Sequence, residues 1–187
     1  MLRVIKCADE VHALWTKMGA DMSGYTYEEL IFVALNHDIG KMGFPGEGNE
    51  VYLPNDSEWH RKNQGKMYKI NPNNPFSLVN DLSIWLLQHY GISITWNEML
   101  GIKLTDGLYD ESNKPYFISR TADSKLKTNI GYVMHQADSM AARIEYEMWR
   151  NNTPKQSAPI KKQYPKKGLS NPNINAQEMF KDLFGDK

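Results

Sequence analysis

The sequence predicts an all-α protein. Apolar residues recur at three- and four-residue spacing along several segments, and two of those segments open on a Thr-x-x-Glu pair. No run alternates apolar and polar residues over a useful length, so at most a minor hairpin is expected beside the helices.

Taken in order, residues 8–19 place Val11, Leu14, Trp15 and Met18 at helical spacing, and Ser23-Gly24 breaks the run. Thr26 reads as an N-cap, with Glu29 completing a capping box. The helix it starts carries Leu30, Ile31, Val33 and Ala34 into His37-Asp38, and Gly40 is expected to stop it. Residues 43–56 hold three glycines and two prolines and read as a loop, placed where a substrate lid can lie. Residues 75–90 form the next predicted helix, with Phe76, Val79, Leu82, Leu86 and Leu87 buried and Gly91 at its end. Thr95 and Glu98 cap a short helix through Met99, Leu100 and Ile102. Residues 107–122 read as irregular, with room for a short hairpin. The last body helix, 124–150, carries Ile130, Val133, Met134, Ala137, Met140, Ala141, Ile144 and Met148 as its stripe.

The 187 residues suit one compact body and a tail. Lys plus Arg and Asp plus Glu each number 22, so no global field points to nucleic acid or membrane. The balance hides an asymmetry: residues 151–187 carry seven lysines against three acids, leaving the tail at +4 and the body at −4. A single cysteine, Cys7, excludes an internal disulfide and fits a reducing cytoplasm. The first residues do not read as a secretory signal, and no run approaches the ~18 apolar residues of a membrane span. A cytoplasmic protein with no membrane partner is expected.

Composition divides the chain into a body, 1–150, a linker, 151–175, and a short terminal helix, 176–187. The linker holds four of the nine prolines with Asn, Ser and Lys, and cannot bury enough apolar surface to offset its ordering entropy. Behind an Asn175/Glu178 capping box, Met179, Phe180, Leu183 and Phe184 would give a short helix an apolar knob. Such a helix is marginal alone and needs a surface, either its own domain or a partner groove.

The chemistry-bearing feature is His37-Asp38, in ALNHDIGK at a helix C-terminus. Imidazole beside carboxylate gives a mixed N/O ligand set suited to Mn²⁺, Fe²⁺, Co²⁺, Ni²⁺ or Zn²⁺ rather than Ca²⁺. Adjacent helical residues point ~100° apart, so both reach one ion only where the helix end faces the bundle centre. His12 and Asp138 border apolar stripes on other helices, where an unpaired charge is costly. Taken alone, His12 fits a structural histidine, and Asp138 fits a salt bridge with Arg143 or Arg120.

The order His…His-Asp…Asp, with HDIGK and a late Asp in HQADSMAAR, resembles the HD superfamily over most of residues 1–150. The resemblance implies an HD-type helical bundle and a divalent metal (Mn, Fe, Co, Ni, Zn or Mg) held by His12, His37, Asp38 and Asp138. It implies hydrolysis of a nucleotide or related phosphate ester through a metal-activated water, in the nucleotidase, dNTPase or phosphodiesterase class. Lys41, three residues past the pair, would meet substrate phosphate; the alternative is a surface lysine. His60, Arg61 and Lys66, in EWHRKNQGKMYKIN, would bind phosphate or form a solvated face. Asp106 and His135 would move protons, with His135 one helical turn before Asp138. His60 and His89 are candidates for a second metal, whereas Thr105-Asp106-Gly107 stands where some relatives carry His-Asp-Gly, which disfavours a full second site. A di-iron oxygenase of the same superfamily needs that second site.

The terminal DLFGD resembles the sliding-clamp-binding tails of T-even-type phage replication and late-transcription proteins. It implies a clamp partner through 176–187, with the five lysines between 155 and 167 free to brush DNA phosphates without sequence preference. A non-catalytic adaptor tethered to a clamp is the corresponding non-enzymatic reading.

Overall fold

The computed structural model describes residues 2–119 and 121–152, and it is mainly helical. Met1, Arg120 and residues 153–187, which hold most of the predicted linker and the predicted terminal helix, lie outside the described residues. Helix α1 spans Leu2–Lys17 and α2 spans Tyr27–Asn36. A 3-10 turn, Ile39–Met42, follows, then strand β1 (Tyr52–Pro54), α3 (Glu58–Gln64) and strand β2 (Tyr68–Ile70). Next come α4 (Val79–His89) and α5 (Trp96–Lys103), two 3-10 turns, α6 (Lys114–Ile118) and the long α7 (Ile130–Asn152).

Both predicted capping boxes form. The Thr26 and Thr95 hydroxyls accept the amide N–H of Glu29 and Glu98, whose carboxylates accept the cap N–H in return. The two boxes also join: Thr95 Oγ1 donates to Glu29 Oε1 at 2.7 Å, fixing the start of α5 against the start of α2. The same helices meet closely at Gly101, where a Cβ would lie 2.7 Å from a Val33 methyl. The core gathers Val4, Cys7, Ala8 and Val11 of α1, Leu30, Val33 and Ala34 of α2, Leu87 and Ile102, and Ile130, Val133, Met134, Ala137 and Ala141 of α7.

Several boundaries differ from the sequence reading. Helix α1 begins at Leu2, and its core stripe is Val4, Cys7, Ala8 and Val11, leaving Leu14 and Met18 exposed. Helix α2 ends at Asn36, four residues before Gly40, which lies buried inside the 3-10 turn. Helix α4 begins at Val79 and Phe76 is 92% exposed, because the preceding segment is tied elsewhere. Asn71 Nδ2 donates to the carbonyls of Gly48 and Glu50, and Asn74 Nδ2 to those of Asn49 and Glu50. These bonds pin 71–74 to the glycine-rich loop and delay coiling. The segment 107–122, read as irregular with room for a short hairpin, has no hairpin among its described residues and is 3-10 turns running into α6, anchored by Asn113 Nδ2 on the Lys103 and Gly107 carbonyls. Among the described residues the one sheet is β1 paired antiparallel with β2, Tyr52 opposite Ile70. Helix α7 starts at Ile130, not 124, and Met140, Ile144 and Met148 are exposed. No helix among the described residues is long and apolar enough to cross a membrane.

Candidate metal centre

The C-terminus of α2 places two functional groups at one point. His37 is the cap residue, with helical φ −56° and ψ −32°, and Asp38 turns out of the helix at φ −108° and ψ 5°. That change of direction, rather than the helix end alone, lets the adjacent side chains converge. The backbone here is held by α4: Ser83 Oγ donates to the His37 carbonyl at 2.8 Å and accepts the Gly40 N–H at 2.8 Å.

The His37 ring is buried, and its Nδ1 lies 3.1 Å from the Ala34 carbonyl. A carbonyl only accepts, so Nδ1 carries a proton, and it is in the neutral ring that Nε2 offers its lone pair. Nε2 faces Asp38 Oδ2 at 3.4 Å and Asp138 Oδ1 at 3.4 Å, yet makes a hydrogen bond with neither. His37, Asp38 and Asp138 thus present one nitrogen and two carboxylate oxygens, all within 4.8 Å of one another, in a cluster able to hold a metal ion. A buried imidazole nitrogen with no hydrogen-bond partner, between two carboxylates, fits a cation at their centre.

The electrostatics agree. Burial disfavours charge on His37, but Asp138 and Asp38 outweigh it and lift the imidazole to about 9. Burial raises Asp38, but His37 and Lys41 outweigh it and bring the carboxyl down to about 2. Without metal, His37 therefore carries a proton on Nε2 below about pH 9, the atom a metal would take. Metal affinity is expected to rise about ten-fold per pH unit toward pH 9 and to level off above it. Calorimetric titrations with Mn²⁺ between pH 6.5 and 9.5 check the slope; a pH-independent affinity contradicts the assignment.

Around the cluster, Lys41 Nζ lies 2.6 Å from Asp38 Oδ2, half-exposed, and Asp38 holds its ammonium charged despite some burial. Asp106 is exposed as a residue, but its Oδ2 accepts Asn80 Nδ2 at 3.0 Å. Partial burial raises its carboxyl first, and the charges of Asp138, Asp38 and Asp110 add to the shift. His135 Nδ1 donates to the Thr105 carbonyl at 2.9 Å, which leaves Nε2 bare. Thr105 itself is satisfied: its hydroxyl donates to the Gly101 carbonyl at 2.7 Å.

Other sequence candidates lie apart from this cluster. His12 Nδ1 pairs with the Tyr25 hydroxyl at 2.9 Å, and its ring meets Tyr25 and Tyr27 edge-on. It is not among the three converging ligands. His60 sits in the first turn of α3 with its ring against Trp59, and His89 stacks on Trp85 at 4.8 Å. Neither joins the cluster, so no second set of three metal-ligating side chains forms among the described residues. Arg61 and Lys66 are exposed, as is Lys62, which pairs with Glu58 at 2.5 Å. Of the salt bridges considered for Asp138, Arg143 is engaged with Glu147 at 2.9 Å.

Sequence reasoning did not single out Asn80, Ser83 or Tyr25. Asn80 and Ser83 are polar positions on the otherwise apolar buried face of α4, a signal that was present but unassigned. Comparison of the chain with family models, with curated proteins and with solved structures finds no match.

Proposed function

We propose that this chain is a metal-dependent phosphohydrolase of the HD type, acting on a nucleotide or related phosphate ester. The observation that carries the reading is His37 Nε2, buried, free of hydrogen bonds and flanked by the Asp38 and Asp138 carboxylates. The order of these residues along the chain, through HDIGK, agrees with it.

His37, Asp38 and Asp138 would hold the ion. A divalent metal there supplies Lewis acidity, acidifying water and offsetting charge on a phosphoryl group. Lys41, tethered to Asp38, is close enough to that centre to bind a phosphate oxygen and keeps its charge at neutral pH. Asp106, fixed by Asn80 and raised by partial burial and by its acidic neighbours, is suited to accept a proton and pass it to a leaving oxygen. His12, which the family resemblance would add as a fourth ligand, sits against Tyr25 outside the cluster, so the proposal rests on three residues.

A screen of ribo- and deoxyribonucleoside mono- and triphosphates with Mn²⁺, Co²⁺ or Mg²⁺ tests the reading. Turnover that disappears with chelator and returns with metal is expected. No metal-dependent turnover on any phosphate ester would overturn it.

A further inference from the structure

Beside the metal centre, a cleft of about 350 Å³ lies between the 107–118 segment and α7. Leu108, Tyr109, Phe117, Tyr132, His135 and Gln136 line it. The volume is that of a small-molecule site rather than of a groove for a helix. Its walls are aromatic and set at an angle: Phe117 and Tyr132 stand edge-to-face, centroids 4.9 Å apart at 90°. The His135 ring lies 6.3 Å from Phe117 and 6.1 Å from Tyr109. A flat ring entering such a corner stacks on one wall and meets the edge of the other.

The polar groups of the cleft are few and placed. Gln136 Oε1 accepts the indole N–H of Trp15 at 3.1 Å, which fixes the amide's orientation. Its –NH₂ is left with two donors for a ligand acceptor. His135 is positioned twice over. Its Nδ1 is held by the Thr105 carbonyl, and its ring lies against Gly107, where a Cβ would come within 2.5 Å of the imidazole. Gly107 also has φ +55°, a conformation that favours glycine independently of the contact.

The cleft and the metal centre share these elements. His135 stands one turn before Asp138 on α7, and side chains so spaced are ~5–6 Å apart at Cβ. The Thr105 carbonyl that holds His135 immediately precedes Asp106. A molecule held at both places would set a phosphate at His37, Asp38 and Lys41 and a flat ring between Phe117, Tyr132 and Tyr109.

We propose that this cleft is a nucleobase site, in which the aromatic corner stacks the base and the Gln136 amide donates to an acceptor on its edge. The inference rests on the phosphohydrolase reading for its phosphate end and names the alcohol that the phosphate is attached to. A sugar ring, which also packs on aromatic faces, is the competing occupant, and the absence of any sugar-directed carboxylate in the lining argues for the base.

Two measurements on the full-length protein test it. The first compares metal-dependent kcat/KM for nucleoside monophosphates with that for ribose 5-phosphate, which keeps the sugar and phosphate and lacks the base. The wild type is expected to prefer the nucleotide at least ten-fold, and Tyr109→Ala and Gln136→Ala to reduce that preference about ten-fold, mainly through KM. Both residues lie at the exposed rim, so neither substitution threatens the fold. The second measures binding of free nucleosides by saturation-transfer NMR, which needs neither metal nor turnover. Saturable binding that both variants weaken supports the cleft even if no ester is hydrolysed, a result that would sink the phosphohydrolase reading alone. Absence of nucleoside binding, or a nucleotide preference unchanged in both variants, overturns the base site.

Discussion

Asp38→Ala is expected to lower metal-dependent kcat/KM on the best phosphate ester by about a thousand-fold, or about 4 kcal/mol of transition-state stabilisation. The carboxylate supplies one of three converging ligand atoms and also holds Lys41 at the same point. Its removal weakens the ion's hold and releases the ammonium together. The cost to the fold is small by comparison. Asp38 is partly exposed, the pair it loses with half-exposed Lys41 is worth about 1 kcal/mol at most, and Asp138 still faces buried His37. Steady-state kinetics beside a thermal melt separate the two effects: activity should fall by that factor while the melting temperature moves by a few degrees. An Asp38→Ala variant that melts normally and keeps within ten-fold of wild-type activity would show that the cluster is structural.

Gly40→Ala carries the largest expected effect on stability, a loss of about 3 kcal/mol. A Cβ at Gly40 would lie 2.2 Å from the Val79 carbonyl oxygen and 2.9 Å from the Ser83 nitrogen. Both are backbone atoms of α4, so no rotamer change relieves the clash and the 3-10 turn must lift off the helix. Lifting breaks the Ser83 link, which accepts the Gly40 N–H and donates to the His37 carbonyl. The variant is therefore expected to lose metal affinity as well as stability, although Gly40 touches no ligand atom. Urea unfolding and a Mn²⁺ titration on the same sample measure both. An unchanged unfolding midpoint would mean that α4 does not clamp this turn.

The same glycine shows where sequence reading succeeds and where it stops. HDIGK pointed to the His37–Asp38 pair, which the structure brings together with Asp138, because an imidazole and a carboxylate at a helix end are chemically specific. It also suggested that Gly40 ends the helix, since glycine suits a helix stop. The structure uses Gly40 for close approach to α4 instead, and sequence alone cannot separate those two demands. A carboxylate beside Ala137 and Ala141 on an apolar stripe needs a partner, but it was the HD resemblance that singled Asp138 out as a ligand. Ser83 and Asn80 were not, because their partners, the His37 backbone and the Asp106 carboxylate, are 46 and 26 residues away in sequence. His12 fits the chain order, but the Tyr25 hydroxyl that holds it is a tertiary contact no spacing reveals. Periodicity likewise identified the faces of α1 and α7 but not how far the core follows them: Leu14, Met18, Ile144 and Met148 continue the stripes into solvent.

The central claim is that His37, Asp38 and Asp138 form a metal site, and a calorimetric titration of Mn²⁺ into chelator-treated protein at neutral pH tests it most directly. Wild-type protein should bind one ion per chain, and folded Asp138→Ala protein should show no saturable binding over the same range. Equal binding by both proteins, or none by the wild type, would contradict the account.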